Sequence, residues 1–165
     1  MQVKKSLEFT DIKSIFDYQI TAFKNTLGYC MEKSQYYRTL FSNVSLKPED
    51  IRTYADLEKI PLTSKSDLQN KNSEFYCCEK SNYIDIVCTS GSTGLNPITH
   101  PLTQIDVKRL GLNEKLSFSC AGVCENDIAL ISVNLDGLFI AGFAYYLGLK
   151  EIGAKVLRSG PLDYE

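Results

Sequence analysis

Residues 83–94 read YIDIVCTSGSTG and hold the most informative signal in the chain. The first half, 83–88, alternates in polarity and is rich in β-branched side chains, which predicts a strand. The second half has only small, uncharged residues, and its glycines allow main-chain N–H groups to approach a ligand closely. Its four hydroxyls add rotatable donors. Because successive amides in such a loop form an anion-binding concavity, the stretch predicts a strand followed by a phosphate-binding loop.

The candidate phosphate-binding residues form one uninterrupted run. They are Thr89, Ser90, Gly91, Ser92, Thr93 and Gly94. A solvated Ser/Gly linker is the alternative interpretation. We disfavour it because apolar segments flank the run closely on both sides.

The chain that follows this loop alternates between predicted helices and strands. Thr103 and Asp106 form a capping-box pattern that predicts a helix to about residue 121. Strands are expected at 128–133 and 154–158, with a mostly apolar helix over 138–152 between them. Such alternation indicates parallel packing with right-handed crossovers. We therefore predict an α/β fold whose parallel sheet has at least three strands, 83–88 being the first.

The chain before residue 83 is predicted to be a helical arm. Apolar residues recur at spacings of three and four over 11–28, with Thr10 as the N-cap, and the helix is expected to continue toward Phe41 with a break near Gly28. Short helices are predicted at 53–59 and from about Thr63. The predicted organisation is an N-terminal helical arm, 1–82, and a βαβαβ unit, 83–165, which together make one incomplete domain.

Composition limits the class of protein. The chain has 165 residues, 44% of them hydrophobic and 23% charged, with a net charge of −2, and these values argue against a nucleic-acid partner. The sequence has neither a secretory h-region nor an apolar run long enough for a membrane span, so we expect no membrane association and a cytoplasmic location. Six cysteines are expected to stay free in such a reducing compartment. No metal site is predicted, because the only histidine, His100, lies far from the nearest downstream cysteine, Cys120.

The loop does not fit two common phosphate-binding motifs. A Walker A loop needs a lysine followed by Ser or Thr at a helix start, and no lysine occurs between Lys80 and Lys108. The Rossmann glycine pattern is also missing. Pro97 and Pro101 discourage a helix directly after the loop. A hairpin that closes over the phosphates of a nucleotide is the arrangement we expect.

Several motifs together resemble a known family. The run TSGSTG with Pro97 beyond it resembles the phosphate-loop signature [ST]-S-G-[ST]-T-G-x-P of the adenylate-forming (AMP-binding) superfamily. The segment IPLTSKSDL at 60–68 and the residues YYR at 36–38 are similar to segments of its phenylacetate–CoA ligase-like branch. The residues GLF at 137–139 and EIGA at 151–154 continue the resemblance, which spans roughly residues 20–163.

The resemblance implies a fold and a reaction. The chain would be part of the large N-terminal domain of the adenylate-forming fold and the N-terminal portion of an ATP-dependent, AMP-forming carboxylate–CoA ligase. It implies ATP and Mg²⁺, CoA as co-substrate, and a small-molecule carboxylic acid. The substrate pocket would include Asp136, Gly137 and Phe139, and no catalytic residue is assigned. The adenosine-binding segments, the hinge and the lid with its catalytic lysine lie beyond this length in the family, so we expect the chain alone to be inactive.

Two departures from the family pattern affect the expected site. Leu95 and Asn96 separate the last loop glycine from the proline, where the family has one residue. Asp136 stands where aryl-CoA ligases of this branch often place an aromatic side chain. A carboxylate cannot stack on an aryl acid and repels the acid's own carboxylate unless it is paired, which argues against phenylacetate itself.

Two other functions remain open alongside the ligase. The chain could be a nucleotide- or partner-binding remnant without catalysis, or one half of a split ligase completed by a second polypeptide. The last predicted strand, at 154–158, has an exposed edge. Only Lys155 and Arg158 carry charges there that would discourage pairing with another chain. We therefore expect the chain to form a homodimer or to associate with a complementary fragment.

Overall fold

The computed structural model describes residues 10–89 and 97–161. The chain divides into two compact units, Met1–Cys78 and Glu79–Glu165. Each unit has its own buried cluster, so each is described separately. The domain assignment of 1–82 and 83–165 stays a prediction.

The first unit begins with two consecutive helices. α1 spans Ile12–Lys33 and α2 spans Gln35–Asn43. The predicted N-cap Thr10 is wrong, because the carboxylate of Asp11 accepts a hydrogen bond from the Ser14 amide at 2.9 Å. The break lies at Ser34 rather than near Gly28, since the Ser34 hydroxyl caps α2 by accepting from the Tyr37 amide at 3.3 Å.

Short helical segments complete the first unit. 3-10 helices occupy Pro48–Asp50, Tyr54–Lys59 and Asn72–Phe75, and α3 spans Lys65–Asn70. The predicted short helices at 53–59 and after Thr63 are confirmed. Ser64 and Asp67 form a capping box at the start of α3.

The core of the first unit is small. Its buried members come from α1, α2 and the segment after them: Leu27, Phe41, Leu46 and Ile51. The predicted apolar face of α1 is buried toward its C-terminal half, whereas Ile12 and Phe16 near its start stay exposed. The helix therefore contributes to the core mainly through its last turns.

The second unit begins with a 3-10 helix at Lys80–Asn82 and a β-hairpin. β1 spans Asp85–Cys88 and β2 spans Thr99–Leu102, and they pair antiparallel with Cys88 opposite Thr99. The prediction that 83–88 belongs to a three-stranded parallel sheet is wrong for the described chain. The short connection between the two strands suffices for a hairpin, whereas a parallel pair needs a crossover of about a dozen residues or more. Pro101 does not prevent the pairing, because an edge strand tolerates proline.

The parallel part of the second unit is a β–α–β segment. β3 spans Ile128–Ile131 and β4 spans Lys155–Arg158, and the two strands pair parallel. α5 connects them over Ile140–Ile152 and ends at Gly153, whose φ of 92° suits glycine. The α/β fold class with an N-terminal helical arm is confirmed, with two parallel strands among the described residues instead of three.

α4 spans Gln104–Cys120 and packs against α5 through glycines. Its capping box of Thr103 and Asp106 is confirmed, with Thr103 Oγ1 donating to the Asp106 carboxylate at 2.7 Å. A Cβ built on Gly148 would lie 2.3 Å from the Glu114 Cβ. The two helices can approach this closely only because position 148 has no side chain. This contact places α5, and with it the loop before α5, relative to α4.

Candidate functional site

Two hydrogen bonds join Thr89 and Ile98, at the ends of the strands that carry the candidate phosphate loop. The Thr89 amide donates to the Ile98 carbonyl at 3.0 Å, and the Ile98 amide donates to the Thr89 hydroxyl at 3.2 Å. The hydroxyl still has its own proton to donate. Of the six predicted phosphate-binding residues, Thr89 is described, and Ser90, Gly91, Ser92, Thr93 and Gly94 lie outside the described residues. The expected hairpin is thus confirmed in the strands that carry the loop.

The predicted substrate residues form a tight turn before α5. The Phe139 amide donates to the Asp136 carbonyl at 3.2 Å, and the central residues Gly137 and Leu138 have φ values of 64° and 62°. Positive φ at both central positions is typical of a type I′ turn. Glycine adopts this conformation freely, whereas leucine does so at a cost of about 1–2 kcal/mol. The Leu138 side chain is half-exposed, so backbone hydrogen bonds stabilise this conformation rather than side-chain packing.

A backbone hydrogen bond joins the strand end before the candidate phosphate loop to this turn. The Cys88 amide, one residue before Thr89, donates to the Leu138 carbonyl at 2.9 Å. The left-handed conformation of Leu138 sets the direction of that carbonyl. The structure therefore brings together Thr89 and the turn of Asp136, Gly137 and Phe139, which the sequence placed about 47 residues apart in the chain.

The first turn of α5 fixes the other side of the same loop. A Cβ built on Gly142 would lie 2.1 Å from the main-chain oxygen of Asn134. The backbone of the loop that carries Asp136 thus rests directly on the helix at Gly142. α5 begins at Ile140 rather than at the predicted Leu138, because Leu138 lies in the turn.

The remaining predicted residues differ in where they lie. Asp136 and Phe139 are exposed at the surface of the second unit, and the Asp136 carboxylate has no hydrogen-bond or ion-pair partner among the described residues. His100 lies in β2 opposite Val87 with its side chain exposed. Sequence reasoning missed Leu138 as the residue whose carbonyl makes the connection, although the Asp136-Gly137 dipeptide is a turn signal that could have indicated it.

Two kinds of feature are absent from the part of the chain that the structure describes. No group of three or more His, Cys, Asp or Glu side chains there could hold a metal ion. No described helix combines the length and apolar character needed to cross a bilayer.

The chain is similar in sequence to known ligases. It is 28% identical over 152 residues to a phenylacetate–coenzyme A ligase of Escherichia coli strain K12, covering 92% of this chain and 34% of that protein. It is 24% identical over 152 residues to the enzyme of the same name from Pseudomonas putida, with the same coverage. No protein-family model matches the chain.

A solved structure shares the fold. An open conformation of 2-hydroxyisobutyryl-CoA ligase, in complex with 2-HIB-AMP and CoA, matches with a TM-score of 0.83 at 16% identity, covering 93% of this chain and 36% of that one. The fold is therefore that of the N-terminal part of an adenylate-forming ligase. Within that class, the sequence relatives confirm the resemblance to phenylacetate–CoA ligases. The chain spans about a third of the length of the relatives that it matches.

Proposed function

We propose that this chain is the N-terminal portion of an ATP-dependent, AMP-forming carboxylate–CoA ligase. In it, residues 89–94 bind the phosphates of ATP, and the turn with Asp136, Gly137 and Phe139 forms part of the acyl pocket. The observation that carries the proposal is the 2.9 Å hydrogen bond between the Cys88 amide and the Leu138 carbonyl. It gives the phosphate loop and the acyl turn a common anchor, as a reaction between a nucleotide and an acid requires.

The proposed reaction has two steps. A carboxylate oxygen of the acid attacks the α-phosphorus of ATP, the bond to the bridging oxygen breaks, and pyrophosphate leaves. A thiol then attacks the acyl carbon and AMP leaves. In this scheme the chain contributes positioning and charge stabilisation, through main-chain amides of the loop and the hydroxyls of Thr89 and its neighbours. Residues outside this chain would hold the adenosine.

The acid that is activated is proposed to be a small carboxylic acid, with CoA as the acceptor. The names of the sequence relatives and the 2-HIB-AMP and CoA bound to the solved neighbour support this class of reaction. Asp136 argues against an aryl acid stacked at this turn, because its carboxylate has no partner among the described residues to offset its charge.

The metal implied by the resemblance has no ligand set in the described chain. Mg²⁺ prefers carboxylates together with the oxygens of the bound phosphates. Asp136 is the one carboxylate of the candidate turn, and no metal-binding group occurs among the described residues. The proposal therefore routes no step through a metal held by these residues.

Phosphate binding is tested directly on the 165-residue chain. Sodium tripolyphosphate and ATP are titrated while NMR follows the amide signals of Cys88, Thr89 and Leu138. We expect all three signals to shift, with similar effects of the two ligands, because the described site offers nothing for the adenosine. Unchanged signals at high ligand concentration would contradict the proposal.

A loop variant tests whether the loop, rather than another part of the chain, binds phosphate. Thr93→Trp should abolish the tripolyphosphate-dependent shifts, since a bulky side chain prevents the loop amides from approaching phosphate. Thr39→Trp, at an exposed position of α2, serves as the control and should leave them intact. Equal binding by the two variants would mean that the loop is a linker.

Activity is tested by pyrophosphate release with a panel of aryl and alkyl acids. We expect none from the chain alone and release when the complementary two thirds of a ligase is added. Binding of tripolyphosphate without release under either condition would instead favour a nucleotide-binding remnant. Restored release would favour the ligase, whether its parts belong to one polypeptide or two.

We also propose that the chain associates through the open side of its parallel sheet. Ile128, Leu130 and Leu157 lie on the face of β3 and β4 opposite the core, and their exposures are 66%, 55% and 56%. Neighbouring apolar side chains on one sheet face are seldom left to solvent. A second copy of the chain is the partner we favour, and a complementary fragment is the alternative.

A further inference from the structure

α4 has apolar residues on two faces, and α5 covers one of them. On the covered face, Gly111 lies next to Leu147, and the rings of Phe118 and Tyr145 meet edge to face with their centroids 5.8 Å apart. The second face is exposed to solvent. The proposed ligase chemistry uses neither the exposed face nor its charged neighbours, so the function of this face needs a separate explanation.

Three aliphatic side chains form the exposed face. Ile105, Leu112 and Leu116 have exposures of 63%, 52% and 57%. Because each residue of an α-helix is turned by about 100° from the one before it, these positions fall within a sector of about 40° and extend over about 17 Å of the helix. Their spacings are typical of the seam between two packed helices. We call these three residues the outer seam of α4.

Basic side chains flank the outer seam on both sides. Lys108 and Lys115 lie about 40° and 60° from Leu112 on one side of the helix. Arg109 lies about 60° from Leu112 on the other side. Lys108 and Arg109 are exposed, and Lys115 is half-buried. None of these three cations takes part in an ion pair within residues 10–89 and 97–161.

The two acidic residues of α4 lie away from the outer seam. Asp106 belongs to the capping box with Thr103 at the start of the helix, and Glu114 lies on the side of Gly148. The outer seam is therefore aliphatic along its centre and positively charged along its flanks, in a chain whose net charge is −2. A partner that is complementary to this surface carries negative charges beside apolar side chains.

We propose that the outer seam binds an acidic amphipathic helix of another polypeptide. In this complex, aliphatic residues of the partner helix pack on the outer seam, and glutamate or aspartate residues beside them pair with Lys108 and Lys115. A helix is the best fit because it presents side chains at the same spacings along the whole length of the seam. Arg109 at the edge of the seam requires an acid opposite it, which restricts the choice of partner.

A second copy of α4 does not fit the outer seam. In a symmetric pair, the basic side chains of both copies would lie along one interface, and like charges that face each other oppose association. The outer seam is also separate from the proposed dimer contact. Phe118 of α4 packs on the core side of β3 and β4, whereas Ile128, Leu130 and Leu157 lie on the other side of that sheet.

Two synthetic peptides test the proposal on the 165-residue chain. Both are amphipathic helices of three heptads with isoleucine and leucine at the seam positions, and they carry either glutamate or lysine at the flanking positions. Fluorescence anisotropy of the labelled peptides measures binding. We expect the glutamate peptide to bind roughly tenfold more tightly than the lysine peptide, or better. The amide NMR signals of Ile105, Leu112 and Leu116 should shift when it binds.

Charge reversal tests the role of the flanks. Lys108→Glu with Lys115→Glu should reverse the preference, so that the lysine peptide binds roughly tenfold more tightly than the glutamate peptide. Lys13→Glu with Lys65→Glu, at exposed positions of the first unit, is the matched control. It changes the net charge by the same amount and should leave the preference unchanged.

A second variant tests the aliphatic centre while all three cations remain. Leu112→Ser with Leu116→Ser should weaken binding of the glutamate peptide roughly tenfold, because the apolar contact area is lost. Both side chains are half-exposed and lie away from α5, so the helix pair should keep its fold, which circular dichroism checks.

Several results would overturn the proposal. Equal affinities of the two peptides for the unmodified chain would do so, and so would a charge-reversed chain that keeps the original preference. Binding to vesicles of phosphatidylserine and phosphatidylcholine, without binding of the glutamate peptide, would assign the outer seam to a lipid surface instead. A dimer that Leu112→Ser with Leu116→Ser converts to monomer would assign it to a second copy. Peptide binding that is lost when the complementary two thirds of a ligase is added would assign it to the ligase itself.

Discussion

Single glycine residues decide how closely the elements of the second unit approach one another. Gly142 lets the loop of Asn134 lie against α5, and Gly148 lets α4 lie against the same helix. Gly137 and Leu138 both have positive φ and reverse the direction of the chain in the turn before α5. These positions determine where the candidate acyl turn lies, although none of the glycines offers a functional group.

Gly148→Ala should destabilise the chain. The new Cβ would meet the Glu114 Cβ at 2.3 Å and main-chain atoms of Glu114 and Lys115 at 2.8 and 2.9 Å, so the helices would have to separate. We expect a loss of about 1–3 kcal/mol in the free energy of unfolding, measured by urea denaturation. Gly111→Ala is the control on the facing helix, where the nearest atom is the Leu147 Cβ at 3.4 Å.

Gly111→Ala should leave the free energy of unfolding nearly unchanged. The higher helix propensity of alanine contributes up to about 1 kcal/mol and offsets the tighter contact with Leu147. A Gly148→Ala chain as stable as Gly111→Ala would mean that α4 and α5 do not pack as closely as the structure indicates.

At the scale of elements, local capping contacts set most helix starts. Asp67 accepts from the Ser64 hydroxyl and amide, and these hydrogen bonds lower the pKa of its carboxyl below 3.8. Hydrogen bonds also lower the pKa of the Asp56 carboxyl. The Lys59 ammonium has the largest effect, followed by the Arg52 amide, the Thr53 amide and the Thr53 hydroxyl. Both groups lie at the first turn of a helix in the first unit.

The stability of the first unit should therefore fall in acid. Since the folded-state pKa values of Asp56 and Asp67 lie below the unfolded value of 3.8, their contribution is fully present above that value. It is lost as the pH falls below 3.8 and through the folded-state pKa values. The urea midpoint should be nearly constant from about pH 7 to pH 5 and then decrease.

A double variant isolates these two carboxyls. Asp56→Asn with Asp67→Asn should weaken the decrease of the midpoint between about pH 5 and pH 3, since neither side chain then titrates. Asp17→Asn is the control, because the described structure gives the Asp17 carboxylate no hydrogen bond. An acid dependence equal in the double variant and the control would refute the role of the capping carboxyls.

At the scale of the whole molecule, the described chain leaves one side of its parallel sheet uncovered. The core side of β3 and β4 packs on Leu149 and Ala154, whereas the other side carries three exposed apolar residues. β3 and β4 form a sheet of only two described strands, so each also presents an open edge.

We expect the chain to sediment as a dimer at micromolar concentration, with twice its 18.6 kDa monomer mass. Leu130→Lys with Leu157→Lys should shift it to monomer, because charges on the uncovered face cannot be buried without a partner. Leu62→Lys, at a position that is 94% exposed in the first unit, is the control and should leave the dimer unchanged. A monomer for the unmodified chain would refute the dimer, and association only with a complementary ligase fragment would support the alternative.

The sequence by itself determined the features that depend on neighbours a few residues away. The caps at Ser64 and Thr103 and the helix stop at Gly153 follow from local patterns, because the stabilising contacts join residues three or four positions apart. The family resemblance followed in turn, since its motifs are short and contiguous.

Only the tertiary structure decided which distant segments meet. The pairing of β1 with β2 and the hydrogen bond from Cys88 to Leu138 both depend on where other elements bring the chain. A single strand's alternation predicts that it pairs but does not name its partner, since any compatible edge satisfies the same backbone groups. The candidate site is therefore predictable as a list of residues, and its geometry comes from the packing that brings those residues together.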